Sequence, residues 1–134
     1  MTSSAPGPLV LIVDDNERNL KLACDVLNAA GFRTVTAGNG ANAIALANEK
    51  LPDLVLLDLR LPDVDGVDVA RALGRGARTR EIPVVALSAL PDTGQPAAGF
   101  AGYLEKPIDV AAFPEQVRGY CRGASTPPTG RRPG

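Results

Sequence analysis

Short apolar runs alternating with helix-patterned stretches leave this chain few folds to choose from. Residues 9–13 and 53–57 are near-continuous apolar runs of strand length, and residues 82–87 form a third, with Pro83 tolerable only near its start. Weaker strands read at 33–36 and 102–104. Unbroken apolar strands are covered on both faces, the habit of a parallel sheet with helices on either side. The helices fall between them. Residues 16–30 space Leu20, Cys24, Leu27 and Ala30 along one face before Gly31, and residues 40–50 carry Ala43, Ile44 and Ala47, with Leu51 before Pro52. Residues 66–74 carry Val67, Val69, Ala70 and Leu73. Asp109 can cap a last helix bearing Val110, Phe113, Val117 and Tyr120, although Pro114 forces that helix to begin irregularly or to start near itself. The pattern is α/β, (βα)5, with right-handed crossovers and a doubly wound five-stranded parallel sheet.

The limits of the domain follow from composition. Residues 1–8 and 123–134 are small, polar and punctuated by Pro and Gly, and are expected to be disordered tails on a domain spanning 9–122. With 14 Lys+Arg against 15 Asp+Glu, the charge gives no reason to expect nucleic acid or an anionic membrane as partner. The chain shows no basic recognition helix and no apolar run long enough to span a bilayer, and its start does not resemble a secretion signal. Cys24 and Cys121 have neither CxxC spacing nor a histidine to complete a zinc site. They read as small hydrophobes in a reducing, cytoplasmic setting.

Ligands of such sheets bind beyond the carboxyl ends of the strands, so the residues there carry the chemistry. The first strand runs into Asp14-Asp15, the third into Asp58, the fourth into Ser88, and the fifth into Lys106-Pro107. An acid after one strand is as readily a helix cap as a ligand. Three carboxylates, a hydroxyl and an ammonium converging from four strand ends are another matter. Carboxylates so close repel, and a hard divalent ion relieves the repulsion; Mg²⁺ favours a few carboxylate oxygens, with waters and phosphate oxygens completing its octahedron.

These residues resemble the receiver domain of bacterial two-component response regulators, of the CheY-like superfamily, over about residues 9–122. The resemblance rests on Asp14-Asp15, on the segment from Asp58 through Pro62 to Gly66, on Ser88-Ala89, and on Lys106-Pro107. The opening Leu-Ile-Val-Asp-Asp-Asn-Glu-Arg-Asn and the closing Lys-Pro-Ile are similar to single-domain regulators of the DivK kind. The family implies a flavodoxin-like sheet of order 2-1-3-4-5. It implies Asp58 as acceptor of a phosphoryl group from a histidine kinase or histidine phosphotransfer protein. Asp14, Asp15, Asp58 and the backbone carbonyl of Arg60 would hold Mg²⁺, with Mn²⁺ a possible substitute. Lys106 and Ser88 would meet the phosphoryl oxygens, as would the backbone at Leu59, Arg60 and Ala89. The domain would catalyse only its own phosphorylation and dephosphorylation, and would signal to a downstream protein or pass the group on in a relay.

Further expectations concern the response. Ser88, moving toward a phosphoryl group, vacates space that Tyr103 can turn inward to fill, the alternative being a half-buried strand aromatic. Neither Arg60 nor Leu90, two past Asp58 and Ser88, is a carboxamide suited to aligning water, which predicts a long phosphoryl lifetime. The stretch between Ser88 and Lys106 is short for the family, and Pro91, Gly94, Pro96, Gly99 and Gly102 break it. A shortened or disordered helix is expected there, one turn around 95–99 or a loop. A haloacid-dehalogenase-type phosphatase would need a second Asp where Arg60 stands, and a flavin binder would need a phosphate loop where Asp14-Asp15-Asn16-Glu17 stands. The main alternative is a pseudo-receiver adaptor that binds partners without being phosphorylated.

Overall fold

The computed structural model describes residues 7–59, 61–88, 100–105 and 108–121. In chain order these form β1 (Leu9–Val13), α1 (Glu17–Ala29), β2 (Arg33–Ala37), α2 (Gly40–Lys50), β3 (Leu54–Asp58), α3 (Gly66–Arg75), β4 (Val84–Ser88), β5 (Gly102–Glu105) and α4 (Phe113–Tyr120). The five strands pair in parallel in the order β2-β1-β3-β4-β5. The expected shortened helix between the fourth and fifth strands lies outside the described residues, as do residues 1–6 of the expected tail 1–8 and all of the expected tail 123–134.

Because side chains alternate across a strand, each apolar run feeds two cores. Leu11, Val13, Val55, Leu57, Val84 and Ala86 face one side, where Ala43, Ala47, Val69 and Leu73 of α2 and α3 cover them. Val10, Ile12, Leu54, Leu56, Val85 and Leu87 face the other, under Ala23 and Leu27 of α1 and Phe113 and Val117 of α4. Every residue of β3 is buried, which explains why its sequence has no polar alternation. Full burial of a Val or Leu side chain is worth roughly 1.5–3 kcal/mol, so this double core dominates the folding energy.

Local chemistry sets the element ends. Asn16 caps α1, its Oδ1 accepting from the N–H groups of Arg18 and Asn19 at 2.9 and 3.2 Å, and Gly31 follows that helix at φ +98°. Leu51 ends α2 at φ +49°; Pro52 disfavours the right-handed helical conformation for the residue before it, so the chain turns left-handed there. The fourth strand begins two residues later than its apolar run, because the Ile82 N–H is spent on Thr79 O in a turn and Pro83 has none to give. Asp109 organises a turn rather than the helix itself: its side chain accepts from Ala111 and its carbonyl from Phe113, and α4 then starts with Pro114 in its first turn, where a missing N–H costs nothing. Arg118 of α4 lies 4.9 Å over the Phe32 ring and donates to Ala30 O, tying the last helix to the end of the first. Cys24 is half-buried and Cys121 buried, and both are free thiols. Among the described residues no helix is long and apolar enough to cross a membrane.

Candidate functional site

Strand register brings the acids together. Val13 pairs with Leu57, so the residues that follow, Asp14 and Asp58, leave the sheet side by side at its carboxyl edge. One carboxylate oxygen from each of Asp14, Asp15 and Asp58 lies within 4.8 Å of the others. Asp14 is 1% exposed and Asp58 8%, while Asp15 faces solvent. The Asp14 carboxylate is held at both oxygens: Oδ1 accepts from Asn16 N–H at 2.9 Å and Oδ2 from the Asn19 amide at 3.1 Å. Two anionic side chains buried at this spacing repel strongly unless a cation lies between them. The donors are all hard carboxylate oxygens, with no nitrogen or sulfur among them. That set fits Mg²⁺ or Mn²⁺ and is poorly suited to zinc.

The segment after Asp58 is pinned at its base and at its tip. At the base, Gly66 N–H donates to Leu59 O at 3.0 Å. A Cβ on Gly66 would stand 2.8 Å from Asp58 O and from Leu59 Cα, both backbone atoms, so only glycine lets α3 start this close to the end of β3. At the tip, Asp63 reaches the amino end of α2, Oδ1 accepting from Gly40 N–H at 2.8 Å and Oδ2 from Ala41 N–H at 3.1 Å. The Gly40 hydrogen bond, joined by the Ala41 one against a smaller opposing desolvation, holds the Asp63 carboxyl below its ordinary pKa.

Of the residues expected from sequence, the structure brings Asp14, Asp15 and Asp58 into one cluster, with the Leu59 backbone beside it. Ser88 ends β4, one residue past the partner of Asp58 and opposite Glu105; its backbone alone is described. Arg60, Ala89, Leu90, Lys106 and Pro107 lie outside the described residues. Tyr103 is half-buried on β5 opposite Ala86 and stacks on Phe100, ring centroids 6.4 Å apart. Sequence reasoning missed Asn19 and Asp63, and it quoted Gly66 without a reason for it. A polar residue five past Asp14 was the available signal for Asn19. For Asp63 there was none, since its partners lie 22 and 23 residues away in sequence.

The pattern that defines the response regulator receiver domain matches residues 10–118. The chain belongs to that family. Among curated receivers, the polar-differentiation response regulator DivK of Brucella anthropi is 40% identical over 115 residues, covering 83% of this chain and 94% of that protein. The receiver domain of a Pseudomonas aeruginosa sensor histidine kinase, solved with a magnesium ion coordinated in its active site cleft, is 29% identical, with a TM-score of 0.78 over 85% of this chain and 97% of that one. The chemotaxis response regulator CheY4 of Vibrio cholerae, 24% identical, shares the receiver fold at a TM-score of 0.79 over 85% of this chain and 98% of its own. Receiver domains are the signalling modules of two-component systems and bind Mg²⁺ at an acidic pocket, and this chain has an acidic cluster in Asp14, Asp15 and Asp58.

Proposed function

We propose that this receiver accepts a phosphoryl group on Asp58 from a phosphohistidine on a histidine kinase or histidine phosphotransfer protein. The reading is carried by the cluster of Asp14, Asp15 and Asp58 carboxylates at the carboxyl ends of β1 and β3. An Asp58 carboxylate oxygen attacks phosphorus in line; the P–N bond to the imidazole breaks, and the ring nitrogen keeps the electron pair. The product is an aspartyl phosphate, whose later hydrolysis releases inorganic phosphate and restores Asp58.

Such a transfer passes through a loose transition state that asks for position and charge neutralisation more than covalent help. Asp15, Asp58 and the Arg60 carbonyl, with Asp14 through a water, would hold Mg²⁺, which would supply that neutralisation on one side. Lys106 pairs with the phosphoryl group on the other, Ser88 donates its hydroxyl, and the N–H groups at Leu59, Arg60 and Ala89 meet the equatorial oxygens. The Asn16 N–H and the Asn19 amide hold Asp14 at both of its carboxylate oxygens. The domain turns over no separate substrate beyond its phosphodonor, and Arg60 and Leu90 leave the attacking water unaligned, favouring a slow decay.

Output runs through a protein partner or onward transfer in a relay, a reading supported by the extended similarity to DivK. Tyr103 acts as the reporter, turning inward as Ser88 moves; Tyr103→Ala should then accept phosphate normally but bind its phosphorylation-dependent partner more weakly, and an equal loss of affinity in both phosphorylation states would contradict this. The function itself is tested with acetyl phosphate and Mg²⁺, reading intact mass. Wild type gains one phosphoryl group, while Asp58→Ala, or wild type in chelator, gains none. A wild type that stays unmodified is an adaptor instead.

A further inference from the structure

We infer that Asp63 is a positioning residue for the acceptor site: by clamping the segment after Asp58 to the amino end of α2, it sets how well the site takes a divalent cation. The inference rests on the proposed function and goes beyond it, because Asp63 lies outside the acid cluster and acts only through the backbone it anchors.

The chain leaves the sheet at Asp58 and re-enters regular structure at Gly66. Without a second anchor, a span of this length closed only at its base by the Gly66–Leu59 hydrogen bond would sample many conformations, and each would move the backbone next to Asp58. Leu59 and Leu61 pack against the core, and Asp63 supplies the polar anchor at the tip. Its two oxygens accept from two successive N–H groups, Gly40 and Ala41, at a helix end whose dipole favours an anion. The contact is shaped as well as charged: a Cβ on Gly40 would run into Val64 Cγ2 and Val69 Cγ2, so the loop tip and α3 are seated directly on the α2 backbone.

Asp63 satisfies the buried Gly40 N–H, but it is not the cap residue of α2. The helix has its own cap in Asn39, whose Oδ1 accepts from Asn42 N–H at 2.8 Å while its carbonyl accepts from Ala43. Ala41 is exposed, so water would serve its N–H as well. What Asp63 adds is the long-range tie. Groups that orient the direct ligands of a metal commonly set its affinity, and here the oriented element is the strand-end loop itself.

The experiment uses the full chain as wild type, Asp63→Ala, Asp63→Asn and, as a control for helix capping, Asn39→Ala. Calorimetric titration gives the Mg²⁺ dissociation constant, thermal unfolding gives the stability, and intact mass gives the initial rate of phosphoryl gain from acetyl phosphate. Asp63→Ala should weaken Mg²⁺ binding roughly tenfold and recover most of the rate once Mg²⁺ is saturating. Asp63→Asn, which keeps one acceptor oxygen for the α2 end, should lose less. Asn39→Ala should lower the unfolding midpoint while leaving Mg²⁺ affinity unchanged. Wild-type Mg²⁺ affinity in Asp63→Ala, beside a phosphorylatable wild type, overturns the positioning role and leaves the proposed function standing. So does an affinity loss in Asn39→Ala equal to that in Asp63→Ala. A wild type that neither binds Mg²⁺ nor gains a phosphoryl group overturns the proposed function and this inference with it.

Discussion

Alanine at position 66 would carry a methyl group 2.8 Å from Asp58 O and Leu59 Cα, and neither is a flexible side-chain tip that can step aside. Gly66→Ala should therefore cost about 1–3 kcal/mol in chemical denaturation and loosen the segment beside Asp58, lowering Mg²⁺ affinity as well; an unaltered unfolding midpoint would show that α3 can shift freely. Cys121 makes a second residue-scale prediction. Burial, with the Asp53 carboxylate adding to it and Arg118 opposing, pushes its thiol from 9.0 up to about 11. The folded state holds this proton more tightly than the unfolded chain, so its contribution to stability is complete below pH 9 and is lost as pH rises toward 11. Iodoacetamide at mildly alkaline pH should accordingly label Cys121 far more slowly in the folded protein than in denaturant, and equal rates in the two states would contradict the buried assignment. The acids of the site were legible because strand ends can be read from apolar runs. The Asp63 tie was not, since nothing local distinguishes an acid that caps a distant helix from one facing solvent.

Elements were legible in proportion to how strongly local signals agreed. The α2 pattern, stopped by Leu51-Pro52, placed the helix at its observed bounds, whereas the start of β4 was displaced by a Thr79 turn that sequence does not announce. Pro114 marked the onset of α4 correctly, because its missing N–H is harmless only in a first turn. That short helix depends on packing more than on length: isolated, it is far below the size at which helices persist in water. Phe113, fully buried in the core that α4 shares with α1 and the sheet, anchors it. Phe113→Ala should cost about 3–5 kcal/mol and free the α4 end first, seen as accelerated amide exchange at Val117 and Tyr120 ahead of the β3 amides. Uniform exchange across both elements would instead place α4 within the global folding unit.

On the scale of the whole molecule, a double-sided apolar sheet carries a cluster of three acids at the carboxyl ends of β1 and β3. Because Mg²⁺ would bind the folded cluster and not the unfolded chain, it should stabilise the protein by about 2.7 kcal/mol at a hundredfold excess over its dissociation constant. Asp15→Asn should raise the metal-free unfolding midpoint and shrink the gain on adding Mg²⁺; a larger gain in the variant would mean that Asp15 does not face the ion. The parallel sheet, the two cores and the position of the acids follow from the chain-order pattern, because parallel crossovers leave so few ways to connect five buried strands, whereas the strand order was implied by the family resemblance. The central claim is that Asp58 itself carries the phosphoryl group. Its most direct test is reduction of acetyl-phosphate-treated protein with borohydride, which converts an aspartyl phosphate to homoserine, followed by peptide mass mapping. Homoserine at position 58, formed only when Mg²⁺ was present, is the predicted result; unmodified aspartate at 58, or homoserine at Asp14 or Asp15, would contradict it.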